Sequence, residues 1–280
     1  MPSRRAWKNM EFAPELRKRP IFPRYVPWMV YAGRDRRACE FYFTVPNRPG
    51  ELMKTLEVFA RHGINILNIG GHSMPEWDRA PIFVFADLTG AEGELEDVER
   101  ELREVSGSEV YCKRSVAGGF MIDEFAFPLY ALPGVRSVLL LGSDFVSMVR
   151  GFYERLGNMA AVFLYHLAYS GGASLASYLS EKLGLKGREL IVEALKMYQA
   201  GGWGLVELVE CDPDSLNVAL RIHGCIECEG MRGSKRPSSH FVRGHLSGFL
   251  SGLLSAKVRA VERRCIAAGD PYCEFYLEEV

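Results

Sequence analysis

The stretch Glu262-Arg-Arg-Cys265-Ile-Ala-Ala-Gly-Asp-Pro-Tyr-Cys273 holds a carboxylate and two thiols within twelve residues. Ala268-Gly-Asp-Pro271 reads as a tight turn between the thiols, and Cys273-Glu-Phe-Tyr-Leu277 as a strand after it. Two cysteines eight apart across such a turn can meet at one point, and a Glu three residues before the first can join them. Zinc accepts thiolate and carboxylate alike, and a fourth donor would close a tetrahedral structural site. The nearest upstream candidates are His240, Cys228 and Cys225, and spacing alone does not choose among them. Two unrelated core cysteines beside a surface Glu fit the same spacing.

Working upstream, a helix over 239–256 carries Gly244, Ser247, Gly248, Ser251 and Gly252 on one side. Glycine costs a helix roughly 1 kcal/mol each, so close packing against another backbone must compensate, inside the fold or between copies. Gly230 to Pro237 reads as a polar loop, and Cys225 and Cys228 form a Cys-x-x-Cys pair. Leu205 to Glu210 and Ser215 to Ile222 predict a hairpin across Asp212-Pro-Asp. Gly201-Gly-Trp-Gly204 is a tight turn that presents a tryptophan or seats it in the core. Helices are expected over 175–183 and 189–198, and another from Ser143-Asp144, interrupted at Gly157 and broken at Gly171-Gly172. Short strands are expected at 125–130 and 137–141.

The first part of the chain has a different rhythm. Cys39 to Val45 is an apolar-rich strand, followed by the turn Pro46-Asn-Arg-Pro-Gly-Glu51 and a helix with Leu52, Met53, Leu56, Phe59 and Ala60 on one face. Gly63 ends the helix, Ile64 to Ile69 and Ala80 to Leu88 read as strands, and Leu95, Val98, Leu102 and Val105 mark a second amphipathic helix before a strand at 109–113. The order β-α-β-β-α-β predicts a split βαβ sandwich with two helices on one sheet face.

At Val45-Pro-Asn-Arg-Pro-Gly-Glu-Leu52 and Gly63-Ile-Asn-Ile66 this part resembles the ACT domain family, over roughly eighty residues. The resemblance implies a ferredoxin-like regulatory module that binds amino acids between paired copies, with Asn47, Gly50 and Asn65 at the effector. Val45 stands where the serine-binding members have a histidine, which removes a polar contact. The bland alternatives are that Asn47 forms the turn, that Asn65 caps the next one, and that the module only pairs.

Gly201-Gly-Trp-Gly204, Gly244-His-Leu-Ser-Gly-Phe249 and the closing Glu262/Cys265/Cys273 spacing are similar to the 4-vinyl reductase domain family. That resemblance implies a mixed α/β fold related to trafficking-complex subunits and haem-nitric-oxide sensors. In sensor members it implies zinc held by a Glu and three cysteines, with an enclosed aromatic pocket. Glu262, Cys265 and Cys273 match three of those ligands. The expected fourth cysteine falls at Ser239, so a closed site must borrow His240, Cys225 or Cys228. Trp203, His166, Tyr169 and His245 are the candidate pocket residues, although a lone His on an apolar helix is more often part of a core.

The full expectation is an α+β chain: a basic arm at 1–36, an ACT domain at 37–116, a flexible joint at Ala117-Gly-Gly119, and a 4-vinyl reductase-like domain at 117–280. Residues 1–37 carry ten Lys/Arg against three Asp/Glu, although the net charge of the chain is −1. Such an arm suits an acidic partner or its own domain; nucleic acid is disfavoured, because no DNA-reading helix-turn-helix follows. No apolar run reaches membrane-span length and no signal-peptide core is present, so a cytoplasmic protein is expected. Seven cysteines in a reducing compartment favour thiols or metal ligation over disulfides. There is no Gly-x-Gly-x-x-Gly fingerprint, no phosphate-binding Gly-x4-Gly-Lys-Ser/Thr loop, no Ser/His/Asp set and no His-Glu-x-x-His. The expectation is a non-catalytic, homodimeric sensor of an amino acid or an apolar aromatic, with structural zinc. A 4-vinyl reductase-like enzyme and an assembly adaptor are the alternatives.

Overall fold

The computed structural model describes residues 21–280, and they form two compact units, Phe22–Val138 and a second built on Leu139–Val280. Residues 1–20 of the basic arm lie outside the described residues. The joint expected at Ala117-Gly-Gly119 packs inside the first unit. Strand β1 (Met29–Tyr31) pairs antiparallel with β6 (Phe120–Ile122), Ala32 N–H donates to Gly119 O at 2.7 Å, and a Cβ on Gly119 would lie 1.9 Å from Gly33 O. Glycine is required there for backbone contact, not for flexibility.

The central sheet of this unit follows from alternation. Strands β2 (Ala38–Pro46), β3 (Asn65–Gly71), β4 (Arg79–Asp87) and β5 (Tyr111–Arg114) form an antiparallel sheet in the order β3-β4-β2-β5. Helix α1 (Glu51–Arg61) joins β2 to β3, and α2 (Leu95–Ser106) joins β4 to β5, giving the expected β-α-β-β-α-β order. Cys39, Phe41, Phe43 and Val45 alternate toward the helices and meet Val58, Phe59, Val98 and Leu102. Gly50 opens α1 at φ +89°, a left-handed conformation that glycine adopts without strain.

The opposite sheet face is covered as well. Val30 and Met121 of the β1–β6 ribbon pack on Ala38, Phe85 and Leu67. This cover buries Glu40 completely. Its Oε2 accepts the Glu124 N–H at 3.1 Å, and its Oε1 has no partner. Burial, reinforced by the neighbouring Asp123 and Glu124 carboxylates, pushes the Glu40 carboxyl from 4.5 up to about 8. The native state therefore holds a proton that the unfolded chain releases. Its stabilising effect is complete below about pH 4.5 and is lost as pH rises through 8, at up to about 1.4 kcal/mol per pH unit. Glu40→Gln should melt progressively higher than wild type as pH is raised from 5 to 9; a difference in Tm that does not vary with pH would refute this.

Between residues 125 and 141, the strands expected at 125–130 and 137–141 are replaced by β7 (Tyr130–Leu132) and β8 (Val135–Arg136), which pair across Pro133-Gly134.

In the second unit, α3 (Gly142–Leu156), α4 (Met159–Leu183) and α5 (Gly187–Ala200) precede β9 (Leu205–Asp212) and β10 (Asn217–His223). A short α6 (Ile226–Gly230), α7 (His240–Leu254), β11 (Val258–Arg264), a 3-10 turn (Ile266–Ala268) and β12 (Cys273–Glu279) follow. The sheet is antiparallel, in the order β11-β12-β10-β9. Val242, Leu246, Phe249 and Leu250 of α7 share one core with Leu220, Ile222, Ala260 and Phe275 of the sheet.

Contrary to the expected break at Gly171-Gly172, α4 runs straight through both glycines. Its buried line is Ala160, Leu164, Ala168, Gly172, Ala176 and Leu179. The small side of α7 faces it. A Cβ on Gly172 would lie 2.1 Å from His245 O, one on Gly244 2.2 Å from Tyr165 O, and one on Gly248 2.0 Å from Tyr169 O. The small residues of α7 therefore serve an intramolecular contact in which the two helix backbones touch.

Candidate metal centre

Strand β10 ends at His223, Gly224 turns the chain at φ +62°, and Cys225 to Cys228 wind into α6. Strand β12 lies beside β10 with Cys273 opposite Ile222, so Cys273 starts its strand next to the Cys-x-x-Cys turn. Strand β11, on the other side of β12, delivers Glu262 and then Cys265. Between Cys265 and Cys273 the chain makes the expected tight turn. The Cys265 N–H donates to Asp270 Oδ2 at 2.8 Å, the Asp270 N–H returns to Cys265 O at 3.1 Å, and Gly269 adopts φ +113°. The Ile266 N–H donates to the Cys273 sulfur at 3.5 Å, which aids a thiolate there.

These segments bring one donor atom each from Cys228, Glu262, Cys265 and Cys273 within 4.8 Å of one another. The three thiols are buried, and Cys228 and Cys265 sulfurs are 3.5 Å apart. His240 is not among the donors: its Nδ1 accepts from the Arg243 guanidinium at 3.1 Å, and its ring lies 6.2 Å from Tyr153. Cys225 is buried against the Cys228 and Cys273 thiols as a flanking sulfur. Ser239, at the position where the family resemblance expects a cysteine, is fully buried and faces Glu262.

The electrostatics of the cluster suit a cation. The Cys228 and Cys273 thiols hold Cys265 well below the usual thiol range, while their own ionisation is pushed up. Burial first, then the Cys265 charge, pushes Glu262 up to about 9. Glu262 Oε1 and Ser239 Oγ are buried with no hydrogen-bond partner. Orphaned oxygen and crowded sulfur are costly in a protein interior. A divalent ion would convert their mutual repulsion into coordination, and three sulfurs with one carboxylate oxygen match zinc.

Glu227, which sequence reasoning did not single out, ties the cluster to α7. Its carboxylate accepts the N–H groups of Phe241 at 3.0 Å and Val242 at 2.9 Å, capping that helix from outside. Burial nevertheless raises its pKa to about 8. Its place inside Cys-x-x-Cys was visible, but the helix it caps begins only at His240 and is a neighbour only in the fold.

The candidate pocket residues separate into two pairs. Trp203 and His245 lie in an interior aromatic cluster: their rings are 4.7 Å apart, Trp203 is 5.5 Å from Phe241, and His245 is 6.0 Å from Phe249. Tyr198, nearly fully buried, donates its hydroxyl to His245 Nδ1 at 2.7 Å. Burial lowers His245 to about 4, so at neutral pH it is the uncharged acceptor. Gly204 is obligatory for this turn, because a Cβ there would lie 2.4 Å from Ile222. His166 and Tyr169 instead line a cleft between α4 and β11.

In the first unit, Asn47 donates its side-chain amide to Met74 O at 2.8 Å and Trp77 O at 2.9 Å, clamping the loop before β4. It borders a cleft of about 340 Å³ with Val45, Ile69, Gly71, His72 and Ser73. Gly50 opens α1 close by in the chain. Asn65 lies at the far end of the sheet, opposite Asp87, about 25 Å away at strand rise.

A small α/β domain closed by a thiol-rich knuckle is the class these observations define. Residues 218–279 match the V4R domain family, and the C-terminal region of the chain carries that domain. An uncharacterized protein of Methanocaldococcus jannaschii, MJ1642, is 29% identical over 97 residues, which is 35% of this chain and 56% of that protein. The chain thus spans about half the length of that curated relative. Among solved structures, the phenol-responsive sensory domain of the transcription activator PoxR with phenol is similar at a TM-score of 0.46 and 15% identity, over 51% of this chain and 77% of that one. A vinyl-4-reductase family protein from Methanocaldococcus jannaschii is similar at a TM-score of 0.32 and 16% identity, over 51% and 98%. Among the described residues, no helix is long and apolar enough to cross a membrane.

Proposed function

We propose that this protein is a non-catalytic, ligand-sensing regulator whose V4R domain is stapled by zinc at Cys228, Glu262, Cys265 and Cys273. The observation that carries the reading is the buried four-donor cluster. Four protein ligands complete a tetrahedral zinc shell and leave no position for substrate, which is the character of a structural site. The staple joins the ends of β11, β12 and α6, and Glu227 passes that order to the start of α7, whose first two turns bring Phe241 and His245 to Trp203. A small apolar or aromatic effector is the ligand class that suits those rings, with the neutral His245 imidazole as its polar contact.

The N-terminal unit is the amino-acid-type module of this reading. The β-α-β-β-α-β order, the Asn47-to-Gly50 turn and the cleft beside Asn47 support an ACT domain. Asn47 and Asn65 sit at opposite ends of one sheet, so an effector touching both requires two copies, which supports a homodimer.

Thermal-shift titration of the full chain against amino acids and small phenols tests the sensing function. Saturable stabilisation by a phenol, weakened at least tenfold in Trp203→Ala, is the expected result. A flat response to both panels would refute it.

A further inference from the structure

Arg243, one turn into α7, carries a charge that no carboxylate among the described residues balances. Its Nε is buried without a hydrogen-bond partner. One terminal nitrogen donates to His240 Nδ1 at 3.1 Å, and the guanidinium carbon sits 5.5 Å from the centre of the Tyr165 ring. Burial and the Arg243 charge lower His240 to about 4, so it accepts this bond as a neutral ring and supplies no counter-charge. Among the described residues, no side-chain carboxylate lies within the 4.0 Å of an ion pair with Arg243. Holding a guanidinium half-buried and unpaired is costly unless something else meets it.

The space it faces is a cleft of about 800 Å³ between α4 and the outer strand β11. Tyr165, His166 and Tyr169 form one wall, Val258, Ala260 and Val261 the other, and Lys257 and Arg259 stand at the β11 end. Glu278, the side-chain carboxylate of the lining, is engaged by Arg259 at 2.8 Å. The lining therefore combines aromatic and aliphatic surface with more cationic than anionic side chains, and among the described residues its Arg243 guanidinium has no carboxylate partner.

We infer that this cleft is a second binding site, separate from the metal cluster and from the Trp203–His245 rings, and that it takes an aromatic monocarboxylate. The carboxylate pairs with Arg243, whose guanidinium offers planar, directed donors. Lys257 adds long-range attraction. The ring of the ligand packs between the Tyr169 side and the β11 residues. A neutral aromatic would leave the Arg243 charge unpaired, so the site discriminates by charge as well as by shape.

Isothermal titration of the full chain with sodium benzoate and 3-phenylpropionate tests it, with benzamide as the neutral isostere. Saturable one-to-one binding is expected, at least tenfold weaker for benzamide. Arg243→Gln should weaken benzoate at least tenfold and Arg243→Lys less. Lys257→Gln, at a more exposed position, should weaken it severalfold with an unchanged melting curve, so the test survives even if Arg243→Gln folds poorly. Absence of saturable binding up to about 10 mM, equal affinity for benzoate and benzamide, or benzoate binding that persists in both variants would each overturn the assignment. Benzoate binding that is lost in Trp203→Ala but kept in Arg243→Gln would also overturn it, moving the ligand to the interior rings.

Discussion

Gly171→Ala and Gly172→Ala are expected to change stability in opposite directions, although the two glycines are adjacent in one helix. On intrinsic propensity alone, each alanine should stabilise α4 by up to about 1 kcal/mol. At Gly171 nothing opposes that gain, since the nearest atom to an added Cβ is His245 Cδ2 at 3.8 Å, an ordinary contact. At Gly172 the Cβ would lie 2.1 Å from His245 O and 2.8 Å from Phe249 N, both of them backbone atoms that cannot turn aside. The helices must separate by an ångström or more, and overpacking of this kind costs about 1–3 kcal/mol or somewhat more. The clash exceeds the propensity gain, so Gly172→Ala should melt about 5–10 °C below wild type and Gly171→Ala slightly above it. Gly248→Val, with its Cβ 2.0 Å from Tyr169 O, should abolish folding of the second unit. Circular-dichroism melts of the three variants check this, and equal effects at 171 and 172 would contradict backbone contact between α4 and α7.

The second large effect is expected at Cys265. Replacing it with serine removes the donor whose thiolate is most favoured and leaves Glu262 and two thiols buried without a fourth ligand. Structural zinc contributes on the order of 10 kcal/mol in small domains that depend on it. A larger core retains some of its order without the metal, so the expected loss is a fall in Tm of more than about 10 °C, together with loss of bound zinc. Chelator added to wild type should reproduce the fall, and chelator added to Cys265→Ser should do nothing further. Cys211→Ser, at a half-buried thiol outside the cluster, should keep zinc and Tm unchanged. A Cys265→Ser protein that retained wild-type zinc and Tm would exclude Cys265 as a ligand.

How far the sequence could be read depended on distance along the chain. The β-α-β-β-α-β order was legible because Cys39, Phe41, Phe43 and Val45 alternate, and because Leu95, Val98 and Leu102 repeat at helical spacing. Glu262, Cys265 and Cys273 were legible because one turn joins them. The choice among Cys225, Cys228 and His240 was not, because it depends on which residues the β10–β12 pairing brings beside Cys273. That pairing places Cys228 in the cluster, while the start of α7 turns His240 toward Arg243. Gly171-Gly172 read as a break for the same reason: propensity sees the missing side chains, but not the partner helix that fills their space. The cover over Glu40 was hidden because β1 and β6 are separated by nearly ninety residues in sequence and are paired only in the fold.

The central claim is that Cys228, Glu262, Cys265 and Cys273 hold one zinc ion. Native mass spectrometry of the freshly purified full chain, with Cys228→Ser and His240→Ala measured beside it, tests it most directly. Wild type and His240→Ala should each carry one zinc per chain, and Cys228→Ser should carry none. A wild-type mass equal to the bare chain, or zinc retained in Cys228→Ser and lost in His240→Ala, would contradict the account.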